Sequence, residues 1–353
     1  TLQLLTPAER KIALLVQDRT GDRDLVYNFG TFDFDDPELR FRYARGFLNY
    51  WLSTSGFGEF MSYQAATNRD VWISTLDLPP DRAERVARRL QENALPAHRY
   101  YAYRHYLDNC CTRIRDLIDA ETDGAIAQRF RTQKVNRDFR YWTAWCLRGL
   151  PLYQSVILYS LGPAIDQPLT RWDEQFLPEV LFEDLNKVRL PDGKPLVGAV
   201  HQVLRRKGPP IGESIPALDL AVLALLGLLV LAGFAAPAIL GRRKAAARLL
   251  GLGLTFWGLL AGLGGLMLLL YWTVTTHYDT HYNENLLINP VTHLWLVGPG
   301  LALLIKGRLT DRTAAALQWY FVASFGLIAV DLLLKLGPFI QGNAGAIALA
   351  ILC

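Results

Sequence analysis

The stretch Asp108-Asn109-Cys110-Cys111-Thr112-Arg113-Ile114-Arg115-Asp116 decides how the first part of this chain is interpreted, because it holds two of only four cysteines. An aromatic run over residues 100–106 precedes it and an amphipathic segment over residues 114–126 follows it, which predicts an extended segment leading into a helix. Cys110 would then lie at the helix N-terminus, where unpaired backbone N–H groups and the helix dipole favour a thiolate. The stretch predicts a nucleophilic cysteine, with a buried structural cysteine pair as the alternative.

Composition divides the chain into two parts. The 353 residues are 51% hydrophobic, with a mean hydropathy of +0.13. Up to about residue 212 the sequence is mixed and charged, whereas beyond it come apolar runs of membrane-spanning length. This pattern predicts a globular domain at 1–212 and a transmembrane domain at 213–353. The formal charge of +4 is small for this length and does not indicate a nucleic-acid partner.

The cysteine count argues against a disulfide scaffold. Four cysteines are too few for one, and neighbours such as Cys110 and Cys111 seldom bond to each other because the ring is strained. A bond from either of them to Cys146 stays open if the domain is exported.

Period-two runs and turn residues predict an α+β domain in the first part. The predicted strands cover residues 2–5, 12–17, 24–29, 60–64 and 71–76. A turn at 18–23 makes a hairpin of the second and third strands. The predicted helices cover residues 39–52 and 80–93, before the cysteine helix. This order predicts an antiparallel sheet covered by helices.

The second part predicts a helical membrane domain of five spans. The candidates are residues 215–240, 249–272, 288–305, 313–336 and 338–353, of which the third and fifth are short. Two loops, 241–248 and 306–312, are rich in arginine and lysine, so the positive-inside rule places both in the cytoplasm. The globular domain, the loop 273–287 and the link 337–343 are therefore expected on the outer side.

The outer loop contains two of the six histidines, His277 and His281, followed by Asn283, Glu284 and Asn285. It could form part of a site, a metal ligand pair or a polar connector. Two histidines four residues apart without a third clear ligand are a weak metal signal, so we predict neither a metal nor another cofactor. In the fourth span, Asp331 and Lys335 are spaced to pair on one helix face.

A nucleophilic cysteine needs a base and hydrogen-bond donors for the oxyanion. Asn109 is the expected helix cap, and the helix start at Cys111 and Thr112 offers backbone donors. Arg113 and Arg115 could lower the thiol pKa or hold a phosphate or carboxylate head group. The position directly after the cap favours Cys110 as the nucleophile and Cys111 as its buried neighbour. Judged on spacing alone, burial of both cysteines stays the alternative.

Three motifs carry a resemblance to a known family. Val26-Tyr27-Asn28-Phe29-Gly30-Thr31-Phe32-Asp33-Phe34, Arg99-Tyr100-Tyr101-Ala102-Tyr103 and the cysteine stretch resemble the periplasmic domain of the Lnb-type lipoprotein N-acyltransferase family. Phe176-Leu177-Pro178 and His281-Tyr282-Asn283-Glu284-Asn285-Leu286-Leu287, with Asn289-Pro290, fit the same family. So does a domain outside the membrane followed by five spans.

The resemblance implies cysteine-dependent acyl transfer at the outer face of the bacterial cytoplasmic membrane, within a permuted papain-like or NlpC-like thiol fold. An acyl chain would move from the diacylglyceryl group of a lipoprotein to the amine of its N-terminal cysteine, leaving a lyso-form product. Cys110 would form the thioester, as in lecithin:retinol acyltransferase-like enzymes. The implied partners are membrane lipid, a lipoprotein substrate and a membrane protein complex. The matching motifs add candidate substrate-binding residues: Asn28, His277, His281, Asn283 and Asn285.

The chain departs from the family at the expected base. The family carries a Gly-His pair just before the strand that matches residues 13–16, whereas Arg10-Lys11 stand here and no histidine precedes His98. Either the segment is incomplete, or another histidine serves as base, or catalysis has been lost. The substitutes are His105, five residues before Cys110, or His277 and His281.

Two further functions remain open on the sequence alone. The same nucleophile would serve a thiol hydrolase or peptidase at the membrane surface, where water takes the acyl group. A catalytically inactive membrane protein that binds lipid or a partner is consistent with the absent early histidine.

Overall fold

The computed structural model describes residues 1–7, 12–17, 24–33, 37–208, 217–240 and 244–352. They form two compact units. Unit 1 comprises Thr1–Arg137 and Pro168–Pro209, and unit 2 comprises Asp138–Gln167 and Pro210–Cys353. The predicted boundary at 212/213 lies outside the described residues. The sequence prediction places residues 138–167 in the globular domain, whereas here they pack within unit 2, because hydrogen bonds tie them to its loops and helices.

Seven strands of the described residues make one antiparallel sheet in the order β6-β4-β3-β2-β1-β5-β7. The strands are β1 (Leu2–Pro7), β2 (Ala13–Gln17), β3 (Asp24–Thr31), β4 (Asn49–Gly56), β5 (Val71–Leu76), β6 (Tyr100–Ala102) and β7 (Val197–Leu204). The predicted turn at 18–23 lies outside the described residues, but β2 and β3 pair as the hairpin prediction requires.

Helices account for most of the remaining described chain. In order they are α1 (Leu39–Arg45), α2 (Phe57–Ala66), α3 (Pro80–Ala94), α4 (Cys110–Glu121), α5 (Ala125–Phe130), α6 (Phe139–Cys146), α7 (Pro151–Ser160), α8 (Arg171–Glu174), α9 (Pro178–Leu185), α10 (Ala217–Leu240), α11 (Lys244–Val274), α12 (Asn285–Ile288), α13 (Val297–Lys306), α14 (Asp311–Leu334) and α15 (Ala344–Leu352). Short 3₁₀ turns cover Pro163–Ile165, Tyr278–Thr280 and Val291–Leu296.

The sheet of unit 1 buries both faces, because successive side chains of a strand point to opposite sides. On one face, Leu14, Tyr27 and Phe29 join the buried residues of α3, α4 and α9 in the main core. On the other face, Leu15 and Val26 pack with Phe60 of α2 and its neighbours. An antiparallel sheet covered by helices therefore confirms the predicted α+β class, while the papain-like topology stays a prediction.

Two secondary-structure predictions in unit 1 are wrong. The helix predicted at 39–52 ends at Arg45, because Gly46 adopts the left-handed conformation (φ 88°) that closes a helix, and β4 begins soon after. The strand predicted at 60–64 is part of α2. Phe60 and Gln64 lie four residues apart on one buried helix face, a spacing that a five-residue window does not distinguish from a strand.

Unit 2 holds four stretches long and apolar enough to cross a membrane among the described residues: Ala217–Ala235, Lys244–Val274, Asn285–Lys306 and Asp311–Leu334. The fifth predicted span contains the nine-residue helix α15, and its last residue lies outside the described part, so the count of five stays a prediction. The chain is a multi-pass membrane protein. The loop at 241–243 also lies outside the described residues, and the orientation stays a prediction.

Close helix contacts in unit 2 depend on small residues. A Cβ on Gly233 of α10 would lie 2.5 Å from the Cα of Gly253 in α11, and one on Gly251 would lie 2.5 Å from the backbone N of Leu304 in α13. Such small residues let helix backbones approach within a bilayer, where apolar burial alone does not drive helices together.

Candidate functional site

Asn109 fixes the start of α4 as the sequence predicts. Its side-chain Oδ1 accepts hydrogen bonds from the N–H groups of Cys111 (2.9 Å) and Thr112 (3.0 Å), and the Thr112 Oγ1 accepts one from the Asn109 N–H (2.8 Å). This reciprocal arrangement is a capping box. The Asn109 Nδ2 donates to the carbonyls of His105 and Phe176, both at 2.9 Å. Asn109 is buried and acts as a positioning residue.

The Asn109 cap uses the same backbone N–H groups that the sequence analysis predicts as donors to an oxyanion. The N–H groups of Cys111 and Thr112 already donate to Asn109, so in this structure they do not point towards a ligand. Both side chains are buried as well. Their role in an oxyanion hole stays a prediction, and capping of α4 is the role that their hydrogen bonds show.

Cys110 occupies the first turn of α4 at the edge of the main core. It is 9% exposed, compared with 1% for Cys111. A Cβ placed on Gly30 would lie 3.8 Å from the Cβ of Cys110, an ordinary van der Waals distance, so this residue of β3 lies next to the start of α4. The Gly30 N–H donates to Asn28 Oδ1 (2.9 Å) at an irregularity in the pairing of β3 with β4. Gly30 thus lies beside Cys110, whereas Asn28 lines a cavity together with Phe60 and Gln64 of α2.

Three tyrosines form an aromatic wall near Cys110, which we call the tyrosine wall: Tyr50, Tyr101 and Tyr103. Tyr50 and Tyr103 stack with centroids 4.1 Å apart, and Tyr101 lies 6.4 Å from each of them. The Tyr101 hydroxyl donates to the Phe29 carbonyl. Burial, with smaller contributions from Tyr43 and the thiolate form of Cys110, raises the pKa of Tyr50 to about 12. Burial also raises the pKa of Tyr103, so both hydroxyls stay neutral near pH 7.

The two adjacent cysteines differ in environment. Their sulfur atoms are 3.9 Å apart, and burial raises the pKa of the Cys111 thiol well above its usual value. Cys111 is therefore the protonated, buried neighbour that the sequence predicts. Cys110, Cys111 and Cys146 are all free thiols, so no disulfide joins them. Cys353 lies outside the described residues.

The two arginines of the stretch serve different contacts. Arg113 binds Asp108 through two hydrogen bonds (2.6 and 2.8 Å), and its guanidinium lies 3.8 Å from the Tyr101 ring centroid. Arg115 is buried, lies over the Trp172 ring and donates to the Trp172 carbonyl (3.0 Å). Arg113 therefore contacts the tyrosine wall, whereas Arg115 attaches residue 172 to α4.

The predicted histidines occupy different surroundings. His105 is exposed in unit 1 and contacts Tyr106 edge-on, with Phe176 and Tyr103 further away. In unit 2 a ring nitrogen of His281 bonds the Thr275 carbonyl (3.1 Å), and His277 packs edge-on against Tyr271. Arg10 and Lys11, where the family has Gly-His, lie outside the described residues.

Asn283 and Asn285 bind their own chain. Both Nδ2 groups donate to the Tyr159 carbonyl, at 3.0 and 2.9 Å. Asn283 Oδ1 accepts from the Gln341 side chain (3.0 Å), and Asn285 Oδ1 accepts from the Asn343 side chain (3.0 Å). These amides join three segments of unit 2. A structural role is therefore an alternative to the predicted substrate-binding role, because the Nδ2 and Oδ1 atoms of both asparagines have partners within the chain.

Lys335 pairs with a different carboxylate from the one predicted. Its Nζ donates to Glu284 Oε2 and to the Gln341 carbonyl. Asp331, the predicted partner, is fully buried, and neither carboxylate oxygen has a hydrogen-bond partner among the described residues. Glu284 carries the remaining polar contacts, accepting from the N–H groups of Ile340 and Gln341. Together, Asn283, Glu284, Asn285, Lys335, Gln341 and Asn343 form what we call the polar latch.

Sequence reasoning missed Tyr50 and the role of Glu284. Tyr50 lies in a stretch predicted as helix, and only the pairing of β4 with β6 brings it beside Tyr103. A carboxylate in an outer loop and a lysine at the end of a predicted span were a usable signal for the Glu284–Lys335 pair. The described residues contain no group of three or more His, Cys, Asp or Glu arranged to hold a metal ion.

Residues 14–144 match the family model of the Lnb N-terminal periplasmic domain. This match includes β3, β4, the tyrosine wall and the start of α4. It confirms the resemblance to the Lnb-type periplasmic domain that the motifs carry. No curated protein and no solved structure matches the chain.

Proposed function

We propose that this chain is a thiol acyltransferase of the outer face of the bacterial cytoplasmic membrane. The acyl chain of a lipoprotein's diacylglyceryl group would pass to the amine of its N-terminal cysteine, leaving a lyso-form lipoprotein. The observation that carries the proposal is the position of Cys110: at a capped helix start, beside a neutral tyrosine wall, within a domain that matches the Lnb-type periplasmic family. The apolar spans support the proposal because they make the chain a membrane protein, and the acyl donor is a membrane lipid group.

The proposed reaction has two steps. The Cys110 sulfur attacks the ester carbonyl, a C–S bond forms, the ester C–O bond breaks, and the glyceryl oxygen takes the proton that the thiol lost. The amine then attacks the thioester, a C–N bond forms, the C–S bond breaks, and the proton of the amine returns to the sulfur. The net change is an ester and an amine converted to an amide and an alcohol. The Tyr50 and Tyr103 hydroxyls are neutral and can donate to developing negative charge.

The test is acyl transfer by the full-length protein on a diacyl lipopeptide, followed by mass spectrometry. Cys110→Ala should lose at least about a thousandfold in rate, because the nucleophile is removed. Cys111→Ala, a matched change at the buried neighbour, should retain most activity. Full activity in Cys110→Ala would overturn the proposal. Tandem mass spectrometry that finds the acyl chain on the N-terminal amine, with total mass conserved, identifies transfer, whereas loss of an acyl mass identifies the thiol hydrolase.

We assign the base to His105, which Asn109 holds near the helix start through a hydrogen bond to the His105 carbonyl. His105→Gln should lower kcat by about a hundredfold or more with little change in KM, because proton transfer is lost while substrate contacts remain. His98→Gln, at another exposed histidine of unit 1, is the control. Unchanged kcat in His105→Gln would move the base elsewhere, while the Cys110 result would still stand.

A further inference from the structure

The segment 138–167 is attached to unit 2 by polar contacts on one side. The Leu152 N–H at the start of α7 donates to Asp219 in the first turn of α10 (3.3 Å). At the other end of α7, the Tyr159 carbonyl accepts from the polar latch. Arg140 forms a buried pair with Asp166 and donates to the carbonyls of Leu158 and Leu161. Backbone groups near both ends of α7 are therefore held by the rest of unit 2.

Part of the α7 surface is apolar and exposed. Leu150, Tyr153 and Val156 are 46%, 52% and 49% exposed, and their spacing of three residues places them along one helix face. From Gly149 to Ile165 the sequence contains no charged residue. A water-facing helix normally carries charge on its exposed side, so this face is unsuited to bulk water.

An anchor of the kind found at lipid headgroups precedes this face. The Arg148 guanidinium lies 4.3 Å from the Trp145 ring centroid, and Tyr141 is exposed in the same helical hairpin. Tryptophan, tyrosine and arginine prefer the interface, where apolar bodies contact lipid and polar groups reach water. An apolar segment of about ten to fourteen residues is too short to span a bilayer and is typical of a buried or interfacial helix.

We propose that α7 lies in the interfacial layer of the leaflet in which α10 begins, with Leu150, Tyr153 and Val156 facing lipid. The lipid bilayer is the favoured partner of this face, because the face continues onto a membrane-spanning helix. α7 packs on α10, whose own Leu218, Leu225 and Leu228 are more than half exposed on a membrane-spanning helix. The α6–α7 hairpin is thus a monotopic element built into the membrane unit.

Photo-crosslinking of the full-length protein in liposomes tests this placement. p-Benzoylphenylalanine is placed singly at positions 153 and 156, and lipid adducts are measured by mass spectrometry after irradiation. Position 63 is the matched aqueous control, because Tyr63 of unit 1 is a tyrosine of nearly equal exposure (54%). Position 319 is the lipid control, because Trp319 is exposed on the spanning helix α14.

We expect roughly tenfold more phospholipid adduct at 153 and 156 than at 63, approaching the yield at 319, because only an interfacial helix exposes these positions to acyl chains. A yield at 153 and 156 equal to that at 63, with 319 labelled, would overturn the proposal. Adducts dominated by a second copy of the chain or by another protein would overturn it in favour of a protein interface. The outcome does not depend on acyltransferase activity.

Discussion

The start of α4 and the polar latch both use asparagine side chains to join separate segments of the chain, but only the first places a thiol beside the tyrosine wall. At Asn109 an asparagine side chain satisfies backbone groups of its own helix and of residues 105 and 176, and the thiol of the next residue lies beside the tyrosine wall. In the latch, Asn283 and Asn285 use their amides to join Tyr159 to residues 341 and 343, and Glu284 neutralises Lys335.

Both regions carry motifs that resemble the Lnb-type family, yet only the start of α4 places a cysteine thiol at its centre. A side chain whose hydrogen bonds all go to its own chain holds the fold, whatever motif it belongs to. Residues of a family motif whose polar atoms all bond within the fold should therefore be separated from the other residues of that motif before functional roles are assigned.

The largest expected change in stability comes from a substitution in the polar latch. Glu284→Gln should lower the free energy of unfolding by about 3 kcal/mol, because it removes the buried carboxylate that neutralises the partly buried ammonium of Lys335. Thermal unfolding of the full-length protein in detergent measures the change. The double variant Glu284→Gln/Lys335→Met should recover part of the loss. Lost acyl transfer with unchanged stability would instead make the latch a functional site.

Asn109→Ala should lower the free energy of unfolding by about 1–3 kcal/mol, because two N–H groups lose their cap and two carbonyls lose a donor. The matched variant Asn109→Asp keeps the acceptor and loses only the donors, so it should be the less destabilised of the two. Chemical denaturation with acyl transfer measured alongside separates stability from rate. Equal losses in both variants would contradict a capping role.

The smallest expected effect is at Asp331. Asp331→Asn should change stability by less than about 1 kcal/mol, or increase it, because a buried carboxylate without hydrogen-bond partners is replaced by a neutral group of the same shape. Thermal unfolding at pH 7 compares it with Glu284→Gln. A loss as large as that of Glu284→Gln would show that the Asp331 charge has a partner and belongs to the latch.

Local signals explain what could be predicted of the fold. The capping residues Asn109 and Thr112 lie three apart and identify the start of α4 by themselves, since a cap acts within one turn. The period-two pattern identifies the β2–β3 hairpin in the same way. Hydropathy predicts the long apolar helices because each satisfies its backbone internally.

Other features depend on distant pairing. Tyr50 joins Tyr103 only because β4 and β6 are neighbours, some fifty residues apart in the chain. Lys335 has Asp331 within reach on its own helix but binds Glu284, because the loop also brings Glu284 to the N–H groups of Ile340 and Gln341. Residues 138–167 have the composition of either unit, and packing decides between them.

The sequence by itself determined that a capped helix would carry Cys110 at its start, that this helix would belong to an α+β domain resembling the Lnb-type periplasmic domain, and that apolar helices would follow. These properties rest on contacts within a turn, a hairpin or a span. Only the tertiary structure decided which groups meet: the tyrosine wall beside Cys110, the burial of Cys111, and the use of Asn283, Glu284 and Asn285 as a latch. Those contacts join segments far apart in the chain, and their energies exist only when the sheet and the helices have packed.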